Sequence, residues 1–203
     1  MKLLTAAFVA GLLLISTHAN AQVTPGKQQA AISLGLANPL TNDRVDGQDE
    51  TFGELGPAFG FNYLYQFQRY LSLGGDFNFK RLGSKDITTG HGPAEIKSTA
   101  WTLLAIGRAD LMPDNNVRPY GLMGLGIGGL KREADYSQRP DLDSSQNSNG
   151  IAFALGAGVD VDINAVWLAG AELRYNIMSA SESEVGASSA STLDLLFKVG
   201  CKF

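Results

Sequence analysis

Residues 193–203 end the chain and read L-D-L-L-F-K-V-G-C-K-F. Counted back in twos, Phe203, Cys201, Val199, Phe197, Leu195 and Leu193 are all apolar. The other register holds Lys202, Gly200, Lys198, Leu196 and Asp194, mostly polar or small. Side chains of a strand alternate between faces, so this is a two-faced strand. A tilted strand of about 9–11 residues crosses a bilayer, and this stretch is long enough. Its backbone N–H and C=O groups need a partner strand, and a closed barrel supplies one without leaving an edge. That requirement constrains what the upstream chain can be.

The same two-residue rhythm recurs upstream. Eight alternating segments are expected, at 30–37, 58–67, 71–80, 99–111, 118–130, 151–163, 166–176 and 193–203. The sixth is the cleanest: Ile151, Phe153, Leu155, Ala157, Val159 and Val161 oppose Ala152, Ala154, Gly156, Gly158, Asp160 and Asp162. Connections at 68–70, 112–117 and 164–165 are short, whereas 38–56, 82–97, 131–150 and 177–191 are long and polar. Short turns at one end and long loops at the other are the pattern of outer-membrane barrels, whose long loops face outward. The fold class expected is all-β, an eight-stranded antiparallel up-and-down transmembrane β-barrel.

The chain opens with a basic residue, Lys2, an apolar run over residues 3–15, and Ala19-Asn20-Ala21, which fits a signal-peptidase site. The reading is a signal peptide over residues 1–21 and one barrel domain over 22–203. The apolar run is short for an anchor helix. Removing Lys2 leaves 15 bases against 20 acids, a net charge of −5, which argues against nucleic acid as a partner. The single cysteine, Cys201, excludes an intramolecular disulfide framework. Abundant glycine, 24 residues in all, suits short strands and turns better than long helices.

Alternation does not say which face points out. A water-facing exterior would be rich in charge, but here the polar face is rich in Gly, Ala and Ser. Glycine on an exposed strand face costs stability. In a narrow lumen, small residues make room for a few long charged ones. The apolar face therefore belongs against lipid. Trp101, Phe153 and Tyr175 toward the long loops, and Phe67, Trp167 and Phe203 toward the short turns, are candidate interface girdles.

Several motifs are similar to those of a known family. They are Arg118-Pro119-Tyr120 leading into the fifth segment, Gly156-Ala157-Gly158-Val159-Asp160, Leu173-Arg174-Tyr175, and the ending Val199-Gly200-Cys201-Lys202-Phe203. With the leader, they resemble the small eight-stranded outer-membrane barrels of the OmpA, OmpX and opacity-protein kind. The resemblance implies a Gram-negative outer membrane, contact with its lipid and lipopolysaccharide, and a terminal strand ending on Phe203 that the barrel-assembly machinery reads as a signal. Lys198 stands where Gly is frequent in that ending, and Cys201 where an aromatic is frequent.

The polar face carries Asp76, Lys80, Arg108, Asp110, Asp160, Asp162, Glu172, Arg174, Asp194 and Lys198, with Lys202 at the end. Two readings are open. One is an ion-selective pore; the other, favoured because eight strands barely leave room for side chains, is a salt-bridged plug. Within the last hairpin, Arg174 is expected to face Asp194, and Glu172 to face Lys198. The first long connection holds Asp43, Asp46, Asp49, Glu50 and Glu54 in a spacing unlike an EF-hand. His91, with Ser84 and Asp86 nearby, is the sole hint of a lipid A enzyme. No nucleotide loop, zinc pattern or nucleophile elbow occurs, so no cofactor and no catalytic role is expected. A structural and surface-interaction role follows, in adhesion, envelope integrity or resistance to host defence, with a host or cell-surface ligand met through the loops.

Overall fold

A computed structural model describes residues 26–40, 42–45, 48–51, 54–89, 92–136, 144–180 and 190–203. The expected leader with its cleavage site, and His91, lie outside the described residues. The strands are β1 (Gln28–Pro39), β2 (Asn42–Val45), β3 (Gln48–Thr51), β4 (Gly56–Gln68), β5 (Leu71–Thr89), β6 (Gly92–Asp110), β7 (Val117–Tyr136), β8 (Ser144–Asp162), β9 (Trp167–Ala180) and β10 (Ala190–Lys202). Eight of them close an antiparallel barrel in the order β1-β10-β9-β8-β7-β6-β5-β4, and β2 and β3 form a separate two-stranded sheet.

The barrel is apolar outside. On β1, Ile32, Leu34 and Leu36 are exposed and Ala31, Ser33 and Ala37 are buried. On β10, Phe197 is 60% exposed while its neighbour Lys198 is 4% exposed. In water, a continuous belt of exposed Leu, Ile, Val and Phe would be a large unburied patch; in a bilayer it meets lipid tails. Tyr65, Trp167 and Phe203 are exposed toward the short turns, where ring edges can meet headgroups.

Closure is complete at the seam between the first and last strands. Cα partners run from Gln29↔Lys202 to Pro39↔Thr192. Beyond them Gln28 N donates to Phe203 O at 2.8 Å, and Phe203 N donates to Gln28 O at 3.0 Å. Across the short-turn end, Arg69 pairs with Asp114, and that carboxylate's hydrogen bond raises the guanidinium pKa above its ordinary value. Both groups are exposed, where such a pair contributes little.

The long connections differ from expectation. The expected loops at 82–97 and 131–150 are mostly strand: β5 continues to Thr89, β6 begins at Gly92, β7 reaches Tyr136 and β8 begins at Ser144. Pairing continues past the barrel to Thr89↔Gly92, with a register shift between Leu82 and Lys85. It also continues through Ala94↔Tyr136 and Ala134↔Ser144. These extensions show little alternation of apolar and polar residues. Their backbones pair in ladders all the same, and hydropathy cannot reveal a strand of that kind.

Deleting Phe203 removes both terminal seam hydrogen bonds and the last aromatic. The heat-modifiable, folded band on cold gels of outer membranes should fall, with more chain left in the periplasm. Unchanged folded yield would show that the terminal residue has no part in assembly.

Candidate functional site

Parity decides which side chains enter the lumen. Asp76, Lys80, Arg108, Asp110, Asp160, Glu172, Arg174, Asp194 and Lys198 are all buried. Asp162 and Lys202 stand nearer the short-turn mouth and are partly exposed. Arg118, on the same face of β7, is buried with them.

From the short-turn end upward, the charges form a chain of contacts. Asp162 bridges Arg118 at 2.9 Å and Lys202 at 2.7 Å. Arg108 holds Asp110 and Asp160, each at 2.5 Å. Asp160 also takes Lys198 at 2.8 Å. The Lys198 ammonium donates to the Tyr120 hydroxyl at 2.6 Å, and that hydroxyl donates to Glu172 at 2.7 Å. Arg174 Nε donates to Glu172 at 2.6 Å, and its two terminal nitrogens donate to the two oxygens of Asp76 at 2.6 and 3.1 Å. Above them Lys80 pairs with Asp194 at 2.5 Å and donates to Thr192 at 2.8 Å. Asn176 donates to Asp194 at 2.8 Å. Six cations (Lys80, Arg108, Arg118, Arg174, Lys198, Lys202) thus meet six carboxylates (Asp76, Asp110, Asp160, Asp162, Glu172, Asp194).

Apolar side chains fill the remaining bore. Leu64, Leu104, Ile106, Ala152 and Ala154 pack as one buried cluster. Ala37, Ala58, Leu82, Ala100, Leu130, Met178 and Leu196 form a second. Glycine supplies the clearance for the polar chain. A Cβ on Gly158 would collide with the Tyr120 ring, and one on Gly170 with the Asp160 carboxylate and the Lys198 stem.

One of the two pairings expected inside the last hairpin needs correction. Asp194 and Arg174 are register partners, yet they form no ion pair. Arg174 crosses the lumen to Asp76 on β5, four strands away round the barrel, and Asp194 goes to Lys80. The expected Glu172–Lys198 ion pair is present at 3.9 Å, although the register partner of Glu172 is Leu196, and the Tyr120 hydroxyl bonds both charges. The reason is geometric. In a bore this narrow, side chains converge on the axis, so an opposite wall is as reachable as the next strand.

Tyr120 and Arg118 escaped the sequence reading of the lumen. Arg108 stands 3.8 Å and Lys198 4.2 Å from the Tyr120 ring centroid, so the ring is a cation–π partner as well as a hydroxyl relay. The signal was available: both share parity with Gly124, Gly126 and Gly128. Of the residues weighed for other chemistry, Ser84 is exposed. The side chains of Asp43, Asp46, Asp49, Glu50, Asp86 and His91 lie outside the described residues. Among the described residues no cluster of His, Cys, Asp or Glu could hold a metal ion.

Arg174→Met leaves Asp76 and Glu172 without their shared cation, and stability should fall by about 3–5 kcal/mol if the site stays dry. Adding Asp76→Asn should recover part of that loss. Adding Asp194→Asn instead should recover none, because Asp194 answers to Lys80. Unfolding in detergent by urea, read by tryptophan fluorescence, measures both cycles. Coupling of Arg174 to Asp194 rather than to Asp76 would refute this wiring.

Comparison with known proteins agrees with the architecture. Ail of Yersinia pestis, solved in complex with the heparin analogue sucrose octasulfate, superposes with a TM-score of 0.56 at 16% identity, over 89% of this chain and 100% of that one. OprG of Pseudomonas aeruginosa gives 0.55 at 20% identity, over 90% and 98%. Neisserial surface protein A gives 0.53 at 17% identity, over 90% and 99%. At such identities the likeness is one of fold. No curated protein sequence matches the chain. The model of the outer membrane protein beta-barrel domain matches residues 7–203, and the chain belongs to that family.

Proposed function

We infer that this barrel is a structural and surface-interacting component of the outer membrane, exported behind a cleaved leader, with a closed lumen. The observation that carries the reading is the pairing inside the bore. Each of the twelve lumen charges has an opposite partner, and two apolar clusters fill the space beside them. A conducting pore needs ions to bind and leave, and charges already neutralised by fixed partners offer them little. The work then falls to the end with the long connections, and the barrel-assembly machinery would read β10 with Phe203.

Charge indicates what that end meets. Segments 40–55, 81–99, 131–149 and 177–191 together carry 13 acids and 7 bases, net −6. Ail was solved with a polyanion; an end of this sign repels one. Lipopolysaccharide phosphates can still be reached through divalent cations, which take carboxylate and phosphate oxygens together. The proposed surface partner is therefore lipopolysaccharide or another anionic glycolipid, bridged by Mg²⁺ or Ca²⁺.

Barrel in maltoside micelles should bind immobilised lipopolysaccharide in millimolar Mg²⁺ and release it on chelation. A variant with Asp43, Asp46, Asp49 and Glu50 changed to amides should bind more weakly, and sucrose octasulfate should not bind the wild type. Binding that survives chelation, or tight binding of sucrose octasulfate, would reject the bridged contact.

A further inference from the structure

The short-turn mouth of the lumen holds a cavity of about 20 Å³, lined by Gln29, Ser72, Asp110, Arg118 and Lys202, with Lys27 at its rim. That is room for a water or a small anion, and the cavity opens toward the mouth. Two buried donors in its wall are unused. Arg118 is 8% exposed; one terminal nitrogen donates to Asp162 at 2.9 Å, and its Nε donates to nothing. Gln29 is also 8% exposed, and its Nε2 donates to nothing. These residues sit on β7 and β1, four strands apart round the barrel, yet they face one space. A buried N–H without an acceptor is costly, so the space calls for an acceptor.

The local charge says which kind. Lys27, Arg118 and Lys202 border the cavity. Arg118 and Lys202 share one carboxylate, Asp162. Asp110, the only carboxylate in the lining, is already held by Arg108 through two nitrogens. The deep lumen holds five carboxylates against four cations, whereas this mouth has cations and donors to spare. Guanidinium Nε, amide N–H, lysine ammonium and serine hydroxyl are together a donor set suited to a phosphate group.

We propose that the short-turn mouth is an anion site that takes a phosphate group, with Arg118 and Gln29 as its buried donors and Lys27 and Lys202 as its rim. Inorganic phosphate and a phospholipid headgroup reaching over the rim share this chemistry. The site is independent of the surface partner proposed above, because it lies at the opposite end of the barrel.

Wild-type barrel in maltoside micelles is titrated with sodium phosphate, and with sodium chloride at equal ionic strength, while phosphorus NMR linewidth and thermal unfolding are followed. Phosphate should broaden the line and raise the melting temperature in a saturable way, and chloride should not. Arg118→Gln should abolish both effects. Its fold should survive, because Asp162 keeps Lys202 as a partner. The exposed Lys27→Gln, which carries no risk to the core, should weaken phosphate binding by about tenfold. Repeating the titration in nanodiscs distinguishes the sources: weaker apparent phosphate binding in phosphatidylglycerol than in a phosphate-free glycolipid identifies the headgroup as occupant, and equal binding identifies the free anion. If wild type shows no saturable response, or Arg118→Gln and Lys27→Gln respond as wild type does, the cavity holds only water and the proposal fails.

Discussion

Everything in this molecule depends on backbone hydrogen bonds having no water to turn to. In hydrocarbon, each free N–H or C=O costs several kcal/mol, on the order of the desolvation of an amide. A sheet can meet that condition only by joining its first strand to its last. The seam from Gln28 on β1 to Phe203 beyond β10 does so, with the final backbone pair donating in both directions. Closing the sheet turns the usual protein inside out. The exterior must be apolar, and the polar face of every strand is driven into one narrow bore.

That bore sets a second condition. Charged groups forced together away from bulk water must find opposite charge or be strongly destabilising. The six cations and six carboxylates meet the condition collectively, not as independent pairs: Asp160 serves Arg108 and Lys198, and Arg174 serves Asp76 and Glu172. Arginine suits position 174, because its planar fork reaches both oxygens of Asp76 while Nε still bonds Glu172. Tyr120 joins the two halves through its hydroxyl. Glycines 158 and 170 stay small because the space their side chains would take is occupied.

Much of this was legible in the chain, and what was not has a physical reason. Parity along each strand identifies the inward residues, since alternation is fixed by the backbone. Parity carries no angular information, so it could not pair Arg174 with Asp76 across the bore. Parity also turns Tyr120 inward, but a reading of the lumen by its charges passes over an uncharged phenol. The outer strands of β5 to β8 were illegible for another cause. Segments such as K-D-I-T-T carry no apolar–polar alternation, so they look like loop although their backbones pair.

The closed lumen is the claim on which the surface role rests, and electrical measurement addresses it most directly. Purified full-length barrel is inserted into a planar bilayer at neutral pH and held under an applied voltage. A bore filled by paired charge and apolar packing passes no steady current, and silent bilayers whose inserted barrel is verified by folded-state gel mobility are the expected result. A steady, ohmic current from the wild-type protein would contradict a closed lumen and make the barrel a channel.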